Sequence, residues 1–353
     1  MAALLILGPR VLPEYRDPNA GRLDLVSAAM SIVAVLAVIW GLKDIAQDGL
    51  SAVAVGSILA GLAVAVAFVA RQRRLADPMI DVGLFKVGAF NAALATNFLA
   101  IFVAVGYFLF VAQYLQLVVG LSPLQAGLWS LPSAVGFIIG SQFAPRALHN
   151  VRPAFVISGG LALSAVGLGL LAQVGVEGGL PALVVGSVII SLGLAPVFGL
   201  TTELIVGSAP PEQAGAASGI SETGAELGGA LGIAIMGSLG VAIYRSELAD
   251  RLPPGVPAEA AEAARDTLGS AAAAAAQLPD ELGAAVLAAA REAFVAGMRL
   301  SSIIAAGIGL VLAVLALVVL RNERPSAPEG AEDAEEVATA SATRGGPSEG
   351  ADA

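Results

Sequence analysis

Eight long runs of apolar residues constrain the fold more than any other feature of the sequence. Each run has about 18 or more residues, and roughly 20 residues of helix cross the hydrocarbon core of a bilayer. A spanning segment must satisfy its backbone hydrogen bonds internally, and these runs are too long for barrel strands, so we predict eight transmembrane helices. The runs cover residues 25–42, 52–70, 88–112, 124–144, 154–174, 181–206, 214–243 and 300–320.

The composition supports a membrane protein and argues against an enzyme. Hydrophobic residues make up 57% of the 353 residues and charged residues 13%, with a mean hydropathy of +0.84. A soluble domain of this length could not bury so much apolar surface. The chain has no cysteine and one histidine, His149, which is favoured as a solvated loop residue over a proton relay. No Walker loop, HExxH motif or nucleophile–His–acid set is present, so we predict that the chain is not an enzyme and has no cofactor and no metal.

Lysine and arginine residues predict the orientation of the helices, because short cytoplasmic loops carry an excess of them. They recur in the loops on one side of the predicted bundle, whereas the short loops on the other side contain only Lys43. We therefore expect a multi-pass protein of the cell membrane with a cytoplasmic C-terminus. Scattered in this way, the basic residues do not predict nucleic-acid binding. The cytoplasmic set is Arg10, Arg16, Arg22, Arg71, Arg73, Arg74, Lys86, Arg146, Arg152, Arg321 and Arg324.

Two polar segments hold many of the acids behind the net charge of −10. Residues 244–299 are rich in alanine and contain four prolines, and they are predicted to form two helices, at about 257–276 and 280–297, in an extracytoplasmic loop. The charged residues of the first helix recur every three to four positions, so a solvated connector is favoured over a gating lid. Residues 321–353 are predicted to form a disordered cytoplasmic tail.

The stretch SGISETGAELGGALGIA places two carboxylates inside a predicted span. At about 100° per residue, Glu222 and Glu226 fall on one stripe of the helix, while Gly224, Gly228 and Gly232 form a separate ridge that lets another helix approach closely. Like charges one turn apart in a low dielectric do not both ionise easily, so the pair is suited to hold a proton or exchange it for a cation. A structural role, hydrogen bonding to neighbouring spans, is the alternative.

Further polar and aromatic residues are candidates for a site. Glu203 lies near the cytoplasmic end of the sixth span, where a structural role at the interface and a gate role both remain open. An amide hydrogen-bonds across helices as readily as it contacts substrate. A ring offers its π face to a lipophilic cation or packs against lipid. The candidate amides and rings lining a cavity are Asn97, Phe98, Phe102, Gln113 and Gln116.

Four stretches of the sequence carry a family resemblance through their order and their spacing between the predicted spans. They are GRLDL from Gly21, DPMIDVGLFK from Asp77, YLQLVVGLSPLQAGLWSLPSAVG from Tyr114 and PPEQAGAASGISETGAELGGALGIAIMGS from Pro210. In these stretches the chain resembles the fourteen-span drug:proton antiporters of the major facilitator superfamily, the quaternary-ammonium and methyl-viologen exporter type. The resemblance extends from residue 1 to about 320. It implies an all-α, polytopic membrane helix bundle of the major facilitator type.

The resemblance also implies a division of the chain. Residues 1–24 would be the stub of a preceding span and a cytoplasmic loop, and residues 25–86 two linker transmembrane helices and a cytoplasmic linker. Residues 87–320 would be the C-terminal six-helix half, including the loop 244–299, followed by the tail at 321–353. The N-terminal six-helix half is then absent. Because the substrate site of such a fold lies between the two halves, this chain would carry only one wall of it.

The function implied is proton-coupled export of hydrophobic or cationic drugs or metabolites. Its partners would be a lipophilic, cationic small molecule, protons and membrane lipid. The proton-coupling and substrate-binding role falls to Glu222, Glu226 and Glu203. A truncated, non-transporting membrane fragment or scaffold is the alternative function.

Overall fold

Helices make up the whole architecture of the part of the chain that the structure describes. The computed structural model describes residues 24–75, 78, 82–148 and 151–321, and these contain no strand. The stub and loop before residue 24, His149 and the tail from residue 322 lie outside the described residues. The α-helices are α1 (Leu25–Asp48), α2 (Ala52–Gln72), α3 (Gly88–Gln113), α4 (Pro123–Leu148), α5 (Pro153–Leu171), α6 (Leu180–Gly207), α7 (Ala214–Arg251), α8 (Ala258–Asp266), α9 (Leu268–Ala275) and α10 (Asp280–Leu320).

Seven of the described helices are long and apolar enough to span a membrane, and they coincide with seven of the eight predicted runs. The prediction of an all-α, polytopic helix bundle is thereby confirmed. The exception is α4, a helix of 26 residues that contains Pro132 and Pro145 and whose serines and glutamines lower its mean hydropathy. Its position in the membrane stays a prediction.

Helices α1 and α2 form a tight antiparallel hairpin. A Cβ atom at Gly61 would lie 2.8 Å from the carbonyl oxygen of Ala34, so the glycine is what lets the two backbones approach. One turn away, Ser57 Oγ donates a hydrogen bond of 2.8 Å to the carbonyl oxygen of Ala37. Small residues and a polar contact therefore join α1 and α2 into one packing unit.

A polar cluster ties together the end of the hairpin where α1 begins and α2 ends. The Asp24 carboxylate caps α1, accepting hydrogen bonds from the hydroxyl (2.6 Å) and the backbone N–H of Ser27. Arg71 Nη2 donates to the same carboxylate at 2.9 Å, and Gln72 Nε2 donates to Ser27 Oγ at 2.7 Å. The hydrogen bond from the Ser27 hydroxyl, with further contributions from the Ser27 backbone and Arg71, lowers the pKa of Asp24 from 3.8 to about 2. Asp24 is therefore charged at neutral pH.

The other long helices build one bundle around the pair α5 and α6. α10 packs on α5, α4 packs on α6, and α3 contacts both α6 and α7. The hairpin meets this bundle through the contact of α1 with α7. The core lies where α5 faces α6, and fully buried side chains there are Ile157, Leu161, Leu168, Leu183 and Ile190.

The helix predicted for residues 280–297 is not separate from the last span. One helix, α10, runs without a break for 41 residues from Asp280 to Leu320. Arg299 lies close to the expected break, and its Nε donates a hydrogen bond to the carbonyl oxygen of Val174 at 2.7 Å. Because its charged group finds a partner at the end of α5, the helix passes this position intact.

The helix predicted for residues 257–276 is instead two short helices, α8 and α9. Thr267 separates them with an extended backbone (φ −151°, ψ 161°), and its side-chain oxygen accepts the N–H of Ser270, which makes it the N-cap of α9. The charged residues of α8 are exposed, as predicted. Tyr244 attaches α8 to α7, since its hydroxyl donates to the carbonyl oxygen of Ala264 at 2.7 Å.

Candidate functional site

The first half of α7 has one packed face and one open face. A Cβ at Gly228 would lie 2.5 Å from the carbonyl oxygen of Phe98, and one at Gly232 would lie 2.5 Å from that of Phe102. The predicted glycine ridge is therefore the line along which α7 crosses α3. Helix periodicity places the carboxylate stripe on the opposite side of α7.

Glu222 and Glu226 are both exposed on that open face. Among the described residues, no side chain forms an ion pair or a hydrogen bond with either carboxylate. Acids in an apolar span otherwise pair with a partner or face a watery path, since hydrocarbon does not solvate a charge. The predicted binding of a proton or a cation by the two carboxylates stays a prediction.

Asn97 lies on the packed side of α7, away from the stripe. Its Nδ2 donates to Ser221 Oγ at 3.2 Å, and both residues are buried between α3 and α7. Phe102 is also buried in this seam, whereas Phe98 is partly exposed. The structure brings Asn97 and Phe102 together at a helix contact, and their predicted contact with substrate stays a prediction.

The remaining predicted site residues lie apart from the stripe. Glu203 is exposed one turn before the end of α6 and pairs with no described residue. Gln116 is exposed, and its amide donates to the carbonyl oxygen of Ala112 at 3.2 Å. Gln113 lines a cavity at the end of the bundle that carries α8 and α9.

That cavity has a volume of about 560 Å³ and lies between α3, α7 and the junction of α8 with α9. Tyr244, Thr267 and Phe294 line it together with Gln113. At its rim Arg245 Nη2 forms an exposed ion pair with Asp266 Oδ1 at 3.0 Å. Thr267 and Leu268, at the junction of α8 with α9, therefore form part of the cavity wall. The choice between a solvated connector and a gating lid stays a prediction.

A second cavity, of about 430 Å³, opens between α3, α4 and α6. Tyr107, Trp129 and Phe137 line it, and the hydroxyls of Ser133 and Ser191 lie 2.7 Å apart on its wall. Sequence reasoning named none of these residues as a site. Single serines in apolar helices carry no signal, because only the packing of α4 on α6 brings these two together.

No protein-family model matches the chain. The chain is 39% identical to the multidrug efflux pump LfrA of Mycolicibacterium smegmatis over 90% of its own length and 63% of that protein. It is 28% identical to the tetracenomycin C resistance and export protein of Streptomyces glaucescens, over 91% of this chain and 61% of that protein.

A third relative is the methyl viologen resistance protein SmvA of Salmonella typhimurium, with 32% identity over 83% of this chain and 59% of that protein. The chain spans about three fifths of the length of these relatives. All three are named for drug efflux, export or resistance, so the predicted resemblance to drug exporters is confirmed at that level. The fourteen-span subtype and the absence of an N-terminal half stay predictions.

Proposed function

We propose that the chain is the substrate-facing part of a secondary transporter that exports hydrophobic, cationic compounds in exchange for protons. The observation that carries this proposal is the unpaired stripe of Glu222 and Glu226 on the open face of an apolar helix. The similarity to multidrug efflux and resistance proteins supports the export of small molecules.

The exchange follows from the chemistry of two carboxylates on neighbouring turns. With about 1.5 Å of rise per residue, Glu222 and Glu226 are about 6 Å apart along the helix axis, so one lipophilic cation can lie close to both carboxylates. A carboxylate that binds a proton no longer attracts a cation. The proton and the cation therefore compete for one site, and the arrival of one releases the other.

In a membrane, the carboxylates on the open face of α7 must be shielded from the acyl chains. Carboxylates turned directly to acyl chains are costly, whereas carboxylates at an interface between two bundles line a path for water and substrate. The relatives are longer than this chain, and we propose that their additional part supplies a second helical bundle across this face. Glu203, exposed near the end of α6 that we place at the cytoplasm, would attract cations at the cytoplasmic mouth of the path.

The experiment uses inverted membrane vesicles from cells that express the complete reading frame containing this chain. Tetraphenylphosphonium uptake and the accompanying proton flux are measured with and without a protonophore. We expect Glu222→Gln and Glu226→Gln to abolish the proton flux that depends on the cation. The matched control is Glu262→Gln, which changes an exposed acid of α8 in the same way. Proton flux that persists at the unchanged ratio in both stripe variants would remove the carboxylates from the mechanism.

A further inference from the structure

A third cavity lies in the seam between the α1–α2 hairpin and the bundle. Its volume is about 600 Å³, within the range of about 300–1,000 Å³ that is typical of small-molecule sites. All four helices around it are membrane-spanning candidates. We call it the hairpin groove, and among the residues lining it are Ala34, Ala65, Phe68, Leu94, Gly219 and Thr223.

The groove exists because small residues face one another across it. Gly215 and Gly219 of α7 are exposed, and an added Cβ atom there would meet no atom within 4 Å, so the hairpin does not cover them closely. Inside the hairpin the reverse holds, since a Cβ at Gly61 would press against the backbone of Ala34. The hairpin is thus tightly packed internally but loosely packed against α7. A space of about 600 Å³ has room for a small ligand.

The walls of the groove select an apolar ligand. Most of the side chains that line it are apolar, namely those of alanine, valine, leucine, isoleucine and phenylalanine residues. The hydroxyls of Ser31 and Thr223 both donate to backbone carbonyls of their own helices, at 2.9 and 2.8 Å. They therefore leave no donor in need of a polar partner.

The groove lies close to the carboxylate stripe along α7. At about 100° per residue, Gly215 and Gly219 fall within about 60° of Glu222 and Glu226 on the same side of α7. The rise from Gly219 to Glu222 is about 4.5 Å, less than one helical turn. An apolar ligand in the groove therefore lies beside two carboxylates that have no described cationic partner. Charge complementarity favours a ligand that carries a positive charge.

We propose that the hairpin groove binds lipophilic monocations that arrive sideways from the bilayer, between the α1–α2 hairpin and α7, before they reach Glu222 and Glu226. The groove lies toward the end of the bundle where α1 begins and α2 ends, and the basic residues Arg71, Arg73 and Arg74 at that end place it in the cytoplasmic leaflet. The site deepens the proposed export function and rests on it, because it names where the cation is first collected.

The absence of cysteine from the chain allows a direct test. Gly219→Cys places one thiol in the groove, and Gly159→Cys places one on an exposed position of α5 where an added Cβ also meets no atom within 4 Å. Each variant of the full chain, in liposomes of fixed phospholipid composition, is reacted with a membrane-permeant maleimide at rising concentrations of tetraphenylphosphonium. We expect the cation to slow labelling at Gly219→Cys in a saturable way and to leave Gly159→Cys unaffected.

A second pair of variants fills the groove. Gly219→Phe should weaken equilibrium binding of radiolabelled tetraphenylphosphonium by about tenfold or more, because the new ring occupies the volume that the ligand needs. Gly159→Phe adds the same ring on α5, away from the groove, and should leave tetraphenylphosphonium binding unchanged. An unfolding midpoint equal to that of the unaltered chain shows that Gly219→Phe is folded.

The outcomes separate this proposal from the export function. Equal labelling of Gly219→Cys with and without the cation, or unchanged binding by Gly219→Phe, overturns the groove even if the carboxylates prove essential for export. Protection by an uncharged analogue such as tetraphenylmethane at the same concentrations also overturns it, since the groove would then bind any apolar molecule or lipid chain. Protection by the cation without any proton-coupled export supports the groove and refutes the export function.

Discussion

Asn97 of α3 donates a hydrogen bond to Ser221 of α7, at 3.2 Å and buried from solvent, one residue before Glu222. This contact fixes the rotation of α7 about its axis. Together with the glycine ridge it holds the carboxylates on the side of the helix that faces away from α3. The orientation of the stripe therefore depends on a polar contact that is not itself part of the proposed exchange.

The first prediction concerns this contact. Asn97→Ala should lower the free energy of unfolding by about 0.5–2 kcal/mol, the usual range for a hydrogen bond between membrane helices. Thermal unfolding in detergent measures the loss. Ser218→Ala is the control, because its exposed hydroxyl donates only within α7, to the carbonyl oxygen of Ala214. Weakened tetraphenylphosphonium binding by Asn97→Ala at unchanged stability would instead show that the amide contacts the substrate.

The second prediction concerns the glycine ridge. Gly228→Ala should destabilise the bundle by about 1–3 kcal/mol, because its Cβ would lie 2.5 Å from a backbone oxygen that cannot turn away, and α3 and α7 must separate. Gly229→Ala is the matched control, since a Cβ there would meet its nearest neighbour, Val105, at an ordinary 3.6 Å. Equal unfolding midpoints for the two variants would contradict the close crossing of α3 and α7.

The third prediction follows from the lowered pKa of Asp24. A carboxyl group whose pKa falls from 3.8 to about 2 on folding stabilises the folded state above pH 4, and this contribution is lost as the pH falls toward 2. Asp24→Asn should therefore lower the unfolding midpoint by the same amount at pH 5.5 and at pH 8. The difference should shrink only below about pH 4. A difference that changes between pH 5.5 and pH 8 would show that another titrating group acts on the cluster.

Local periodicity was sufficient to predict the two faces of α7. It could not predict which residues of other helices those faces contact. The angles of Glu222 and Gly228 follow from their positions in the sequence alone, and the structure places Gly228 against α3 as the ridge predicts. The partner of Asn97 could not be predicted, because Ser221 lies 124 residues away along the chain. The hairpin groove has no sequence signal for the same reason, since it depends on which small residues face one another.

The two wrong helix boundaries have equally specific causes. The loop helix was predicted to end at about residue 297 because the apolar run begins only at residue 300, but one helix continues through this position, where Arg299 donates to the carbonyl oxygen of Val174. Thr267 lies in an alanine-rich stretch with high helix propensity, where a single capping side chain outweighs the average. In both places one side-chain contact decided the outcome, and composition over a window could not reveal it.

The last prediction compares two contacts that attach α8 to α7. Arg245 pairs with Asp266 in the open, with side chains 56% and 69% exposed, and such surface pairs contribute only about 0–1 kcal/mol. The Tyr244 hydroxyl is buried, and its removal leaves the Ala264 carbonyl without its partner, which costs about 1–3 kcal/mol.

Tyr244→Phe should therefore release α8 from α7, whereas Arg245→Gln should leave it attached. Backbone hydrogen exchange across residues 258–266 measures the difference, and we expect faster exchange in Tyr244→Phe alone. The reverse order would mean that the exposed ion pair, and not the buried hydroxyl, holds the wall of the 560 Å³ cavity in place.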